Sequence, residues 1–169
     1  MKGSSIIQLH LLRHSHAGDP LKWNASDDLR PLSERGRRQA ERLGLFLAEA
    51  GFAPDAILSS PKLRALDTAR LVAAPLGLSV RIADALAGAL DIDVLEALLE
   101  SSGGPVRPLL VGHDPDLSIL AAELVGLPDL PLRKGSLVRI DVERPFTPGT
   151  GVLRWLVPPD LLGAHDRPD

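Results

Sequence analysis

Short apolar runs alternate with longer amphipathic stretches along this chain, and that alternation limits its fold more than any other feature. A short apolar run bounded by turn formers suits a strand buried on both faces. An amphipathic stretch between two such runs supplies the crossover helix that parallel strands need. The expectation is an α/β chain, a three-layer α/β/α sandwich on a mostly parallel sheet. With 169 residues, 44% of them apolar, the chain is long enough for one well-packed domain and short for two. A single domain over 1–169 is therefore expected, with a ragged tail after about residue 162.

The first strand falls at about 6–12 and is followed by a long polar loop, "RHSHAGDPLKWNASDDLRPL". Loops of that length inside compact domains are functional or disordered, and the residues that begin this one favour function. Ser33 is placed to cap a helix running to Ala50, with Glu34 in its first turn and Gly51 as its stop. Its buried side is expected to carry Ala40, Leu43, Phe46, Leu47 and Ala50. A second strand at about 56–58 leads to a helix with Pro61 in its first turn, a shared face at Leu66, Ala69 and Ala73, and a stop at Pro75 and Gly77. A third strand is expected near 78–82, a short helix from an Asp91 cap, and a strand at 108–111. A helix capped by Asp114, with Pro115 in its first turn, should then run to Gly126. The last part reads differently. "SLVRIDVE" and "GVLRWLV", separated by "RPFTPGT", form a β-hairpin pattern that would add antiparallel strands to the sheet.

Composition excludes several classes. A net charge of −3, three Phe, two Trp and no Tyr argue against nucleic-acid binding. The one dense basic run, "ERGRRQAER", reads as a solvated helix face. The absence of Cys removes disulfides, a thiol nucleophile and Cys-ligated zinc, and leaves the redox compartment open. The amino terminus is too short and too polar for a signal peptide or a membrane span, so a cytoplasmic protein with no membrane partner is expected.

The chemistry concentrates where apolar runs end. Arg13 and His14 close the first run, and Gly112 and His113 form a second such corner in "RPLLVGHDPDLSIL". Ligands of open parallel sheets bind outside the carboxyl ends of the strands, so these residues can converge on one pocket, and their chemistry suits a phosphate. A phosphate group repels an anionic nucleophile, whereas neutral imidazole carries no charge and can attack phosphorus directly. His14 is assigned as that nucleophile. One of its ring nitrogens must be free and the other held by an acceptor, most cheaply a backbone carbonyl of the turn that follows. Arg13 and Arg64 fit the equatorial oxygens, since a guanidinium fork matches phosphate and stays charged. Arg64 also falls in the first turn of its helix, where free N–H groups favour an anion. His113, if protonated, adds a third donor.

Each assignment has an ordinary alternative. His14 and His113 could be satisfied core residues, and Arg13 and Arg64 surface ion-pair partners. His16 invites a metal site with His113, but no carboxylate or Cys stands at a ligand spacing, and no metal is expected. His10 should point from the opposite face of its strand or pack there, and His165 lies in the tail. Ser59 and Ser60 read as turn and cap residues, and Asp27, Asp28 and Arg30 as a charge cluster that orders the loop.

"LLRHSHA" resembles the Arg-His-Gly signature of the histidine phosphatase superfamily, whose relatives include cofactor-dependent phosphoglycerate mutases and many small phosphatases. "RPLSERGRRQAERLG", "ILSSPKLRALDTARLVA", "LLVGHDPDLSIL" and "LRWLVPPDLL" continue the resemblance in order over most of 6–162. The short length, "DDLRPLSERG" and the tail look most like the SixA-type phosphohistidine phosphatases, the compact branch without a large lid insertion. The resemblance implies a covalent phosphohistidine at His14, later hydrolysed by water, with Arg13, Arg64 and His113 around the phosphate and neither metal nor cofactor. Two departures matter. Ser15 replaces the usual Gly after the nucleophile, so its hydroxyl becomes a candidate phosphate contact. Many relatives also carry an acidic glutamate after the third strand, where this chain reads "RIADALAGALD" and offers only Asp84.

Without a committed acid, simple alkoxide leaving groups are handled badly, whereas a protonated phosphohistidine departs as neutral imidazole. The leading expectation is thus a phosphatase acting on phosphohistidine carried by a protein. A phosphatase for small phosphate esters and a non-catalytic phosphate-binding module are the alternatives. A mutase would need the acid and more chain. Oligomeric state is left open.

Overall fold

A computed structural model describes residues 6–163. Its elements are β1 (Ile6–Arg13), α1 (Glu34–Glu49), β2 (Ala56–Ser59), α2 (Leu63–Ala73), β3 (Arg81–Ile82), α3 (Ile92–Ser101), β4 (Pro108–Gly112), α4 (Asp116–Val125), β5 (Leu137–Glu143) and β6 (Val152–Val157). They build one six-stranded sheet in the order β3-β2-β4-β1-β5-β6. The first four of these strands run parallel, β5 runs against β1, and β6 runs against β5 and so in the direction of the first four. The expected fold class is the one observed.

β1 explains the three layers. Ile7, Leu9 and Leu11 enter one core with residues of α3 and α4, while Leu12 enters a second core with residues of α1 and α2. A strand covered on both faces has to be apolar nearly throughout, which is why the first run does not alternate. The parallel pairing matches Arg13 to Gly112 and Ser59 to Val111, so β1, β2 and β4 end together at one edge.

Most helix boundaries follow local chemistry. Ser33 caps α1 by accepting from the Gly36 amide at 3.1 Å, and Asp91 caps α3 by accepting from the Val94 amide at 2.8 Å. α2 ends as expected, in a 3-10 turn at Ala74–Leu76 followed by Gly77 at φ +66°.

Several expectations need correction. Ala40, Leu43 and Leu47 are buried, but Phe46 is 41% exposed and Ala50 is exposed. The reason is Gly44, whose missing Cβ admits Pro75 and the Leu71 carbonyl and turns the helix on a face centred elsewhere. Pro61 precedes the Lys62 cap and so stands just outside α2. The third strand is reduced to Arg81–Ile82, both exposed at the sheet edge. Asp114 is not the cap of α4, which begins at Asp116; its carboxylate takes the Ser118 hydroxyl at 2.9 Å and an arginine described below. Except for Gly163, the tail expected beyond residue 162, His165 included, lies outside the described residues. Among the described residues no helix is long and apolar enough to cross a membrane.

Candidate functional site

His14 follows β1 directly and is 6% exposed. Its amide donates to the Gly112 carbonyl of the β4 end at 3.0 Å, and its own carbonyl accepts from the Gly135 amide at 3.0 Å. The ring lies 2.8 Å, through Nδ1, from the carbonyl oxygen of Ser15. A carbonyl only accepts, so Nδ1 carries the proton and Nε2 presents a lone pair. Burial above all, then the charges of His113, Arg64 and Arg13, hold the pKa of His14 down to about 3, against the support of its bond to Ser15. The imidazole is neutral at pH 7. It meets every requirement set for a nucleophile on the sequence alone.

His113 follows β4 with its ring centroid 5.3 Å from that of His14. The Ser60 hydroxyl sits 2.7 Å from His113 Nε2 and accepts from the Lys62 amide. With its one proton directed at Nε2, the Ser60 hydroxyl favours the tautomer protonated on Nδ1. That Nδ1 is buried with no hydrogen-bond partner. Burial first, then Arg64 and Lys62, lower the pKa of His113 to about 4. His113 was to add a donor if protonated; its ring is neutral at pH 7, and the donor it offers is Nδ1–H in the tautomer that Ser60 favours.

Arg13 and Arg64 stand on either side of the cluster. Arg13 donates to the Leu132 carbonyl at 2.6 Å and pairs with Asp114 at 3.0 Å. Arg64, in the first turn of α2 and 6% exposed, is held by Asp27. Thr68 ties the two sides together, accepting from the Ser15 amide at 3.0 Å and donating to the Arg64 carbonyl at 2.7 Å. Among the described residues the Nε atoms of both arginines are buried without a hydrogen-bond partner, as His113 Nδ1 is. Buried donors are nearly always satisfied, so three orphans around one neutral imidazole ask for an acceptor from outside the chain. An anion with several oxygens answers that demand beside an imidazole whose Nε2 lone pair is free to attack.

Other predicted residues are placed elsewhere. Asp84 is exposed at the start of a 3-10 turn (Asp84–Ala87) and lines a crevice with Leu58, Leu98, Ser101 and Ser102, none of which belongs to the cluster. Ser15 is 1% exposed, with its hydroxyl beside Gly135 and no hydrogen-bond partner. His16 Nδ1 lies 2.7 Å from the Ser33 hydroxyl. His10 packs edge-on against Phe52 at 4.8 Å, near Trp155, with Nδ1 donating to the Pro108 carbonyl at 3.1 Å. Ser60 is more than a turn residue because it orients His113. Asp27 both orders its loop, through Arg30 at 2.8 Å, and reaches Arg64. Asp114 was missed altogether. Its position one residue after His113 was the available signal, and the cap reading absorbed it.

A profile of the histidine phosphatase superfamily (branch 1) matches residues 9–89, which carry Arg13, His14 and Arg64. An uncharacterized protein of Picosynechococcus sp. is 34% identical over 114 residues, 66% of this chain and 68% of that protein. The chain belongs to the histidine phosphatase superfamily. A solved superfamily structure, the protein histidine phosphatase SixA complexed with tungstate, matches at TM-score 0.79 and 25% identity, over 93% of this chain and 100% of that one. A structure described as an α-ribazole-5′-P phosphatase from Escherichia coli matches at TM-score 0.71 and 23% identity, over 90% and 98% of the two chains. The mitochondrial serine/threonine-protein phosphatase Pgam5 of Drosophila simulans is 42% identical over 71 residues, 42% of this chain and 24% of that protein. The chain thus spans about a quarter of that relative's length. Superfamily membership and the similarity to SixA support a phosphatase acting on a phosphate-bearing substrate.

Proposed function

We propose that this chain is a metal-independent phosphatase that removes the phosphoryl group from phosphohistidine on a protein, through a covalent intermediate at His14. The Nε2 lone pair attacks phosphorus, the P–N bond of the substrate breaks, and the departing imidazole keeps the proton on its ring. Water then attacks the phosphorus on His14, releasing inorganic phosphate and restoring the neutral ring. Arg13 and Arg64 turn their free Nε–H groups, and His113 its Nδ1–H, toward the equatorial oxygens. Positioning and charge offset of this kind supply most of the catalysis in phosphoryl transfer and leave no step that calls for a metal. The Ser15 hydroxyl completes the set if the phosphate reaches under Gly135.

The observation that carries this reading is the 2.8 Å contact of His14 Nδ1 with the Ser15 carbonyl, because it frees Nε2 and directs it. Among the described residues Asp84 makes no hydrogen bond or ion pair with Arg13, His14, Arg64 or His113, in keeping with a substrate whose leaving group needs no strong acid. Similarity to SixA over the whole of that chain supports a phosphohistidine protein.

Turnover of a generic aryl phosphate without added metal, abolished in His14→Ala, tests the enzyme. Labelled phosphate retained on His14 tests the intermediate. Equal concentrations of phosphohistidine and phosphoserine protein test the substrate, and faster hydrolysis of the serine ester overturns it. A second reading, a phosphatase for small phosphate esters, is favoured by the similarity to the α-ribazole-5′-P phosphatase. Hydrolysis of such esters in preference to phosphohistidine protein would establish it.

A further inference from the structure

The proton on the His14 ring is placed by one peptide, the one that joins Ser15 to His16. Its carbonyl oxygen lies 2.8 Å from His14 Nδ1, and on its other side the His16 amide donates to Oε1 of the Gln39 side chain at 3.1 Å. A trans peptide points its C=O and N–H in opposite directions, so an acceptor fixed on the N–H side aims the oxygen at the other. Gln39 is that acceptor. Its oxygen, not its NH2, has to face the peptide, because a backbone N–H only donates.

Gln39 is buried on α1, on the stripe of that helix that meets this turn. Three residues earlier, Gly36 lacks the Cβ that would collide with the His16 carbonyl, and at the helix cap the Ser33 amide donates to that same carbonyl at 3.0 Å. One helix face therefore grips residue 16 on both sides, its carbonyl through Ser33 and its amide through Gln39. The preceding peptide is held by other elements: Thr68 accepts from the Ser15 amide, and the Gly135 amide donates to the His14 carbonyl. Of all these groups, Gln39 is the one bonded to the peptide whose oxygen meets the ring.

Reversing that peptide would set its N–H against Nδ1. Two donors cannot share one hydrogen bond, so the ring proton would move to Nε2 and remove the lone pair that attacks phosphorus. We propose that Gln39 is a positioning residue that fixes the tautomer of His14 through the Ser15–His16 peptide. Its effect on turnover rests on the phosphatase reading, whereas the state of the ring belongs to the protein without substrate and is measured separately.

Two variants test this. Gln39→Met keeps the length of the side chain and removes the acceptor, and Gln39→Glu keeps an oxygen in its place. In histidine labelled with 15N, the protonated and bare ring nitrogens resonate far apart, and the His14 signals are identified by their loss in His14→Asn. At pH 7 the wild-type ring carries its proton on Nδ1. In Gln39→Met the ratio of the two tautomers moves about tenfold toward Nε2–H, the scale of one lost hydrogen bond. With the ring no longer aimed, kcat for an aryl phosphate falls about tenfold while KM changes little. Gln39→Glu keeps the wild-type tautomer and most of kcat. A Gln39→Met ring with the wild-type tautomer, a wild-type ring protonated on Nε2, or equal losses of kcat in Gln39→Met and Gln39→Glu overturns the proposal. Gln39→Leu gives the same reading should the thioether disturb the fold. If the wild type turns over no aryl phosphate, the phosphatase reading fails by itself, and the ring spectra still decide the role of Gln39.

Discussion

Asp27 holds Arg64 with two groups at once: its carbonyl oxygen accepts from Nη1 at 2.7 Å, and its carboxylate meets Nη2 at 2.9 Å. One N–H of each outer nitrogen of the guanidinium is thereby occupied, and Nε is buried with no hydrogen-bond partner among the described residues. The same carboxylate takes Arg30, whose other arm reaches the Ala17 carbonyl at 2.8 Å, so the β1–α1 loop is pinned to the first turn of α2. The Arg30 hydrogen bond, with the charge of Arg64, keeps the Asp27 carboxyl below the usual carboxylate range. Asp27→Asn is expected to loosen the guanidinium and lower kcat/KM about tenfold, and Arg64→Ala about a hundredfold, on the scales for misplaced and deleted donors. Steady-state kinetics on an aryl phosphate checks both. An Asp27→Asn protein as active as wild type would deny the loop its positioning role.

Ser60 sets the tautomer of His113 through a 2.7 Å contact. Ser60→Ala frees the proton to move to Nε2 and leaves Nδ1 without a hydrogen to donate. Since that donor serves the developing charge, kcat should fall about tenfold while KM changes little. Ser60→Thr, which retains the hydroxyl, should restore most of the loss.

Gly36 is required by a close approach. A Cβ at this position would stand 1.9 Å from the His16 carbonyl oxygen, a backbone atom that cannot yield by rotation. Gly36→Ala is expected to cost about 3 kcal/mol or more, as overpacking against backbone does, and to move the loop that carries His16 and Ser33. Urea denaturation gives the stability change, and a matched loss of activity shows that the loop has shifted.

Buried histidines make the fold sensitive to acid. His10 is held down to about 4, chiefly by burial, against an ordinary value of 6.5. A neutral ring favoured by the fold means that the unfolded chain binds more protons. The stability this provides is complete above pH 6.5 and is lost as pH falls from there toward 4. The shift corresponds to at most about 3 kcal/mol for His10, and His14 and His113 act in the same direction. Urea midpoints should therefore drop between neutral pH and pH 4, and His10→Phe should flatten that slope. An unchanged slope in the variant would remove His10 from the account.

The parts of the site that lie on regular structure were legible in the sequence. His14 and His113 close apolar runs whose ends the parallel pairing brings together, and Arg64 sits in the first turn of a helix that a Pro and two Ser residues announce. Asp27 was read as ordering its loop because nothing periodic positions a long irregular segment; its grip on Arg64 is a tertiary contact between residues 37 apart. Asp114 was misread for a different reason. Aspartate before a helix is a favoured cap, and the sequence does not show that a nearby arginine will claim the same carboxylate. Phe46 was misplaced because helical periodicity identifies a stripe but not which edge of it a small residue such as Gly44 will turn inward.

Because β5 runs against β1, its first residue pairs beside Leu12, and the connection that delivers it crosses the catalytic edge from outside. The groups proposed to transfer phosphate come from strand exits and a helix start, while residues 132–136 belong to a separate stretch of chain joined to them mainly through backbone amides and carbonyls. Leu132 and Ser136 on that stretch are buried and Gly135 stands at φ +81°, so Arg133 and Lys134 are the side chains that can be exchanged with these backbone anchors left in place, and the positions at which to graft a new preference for cargo onto unchanged chemistry.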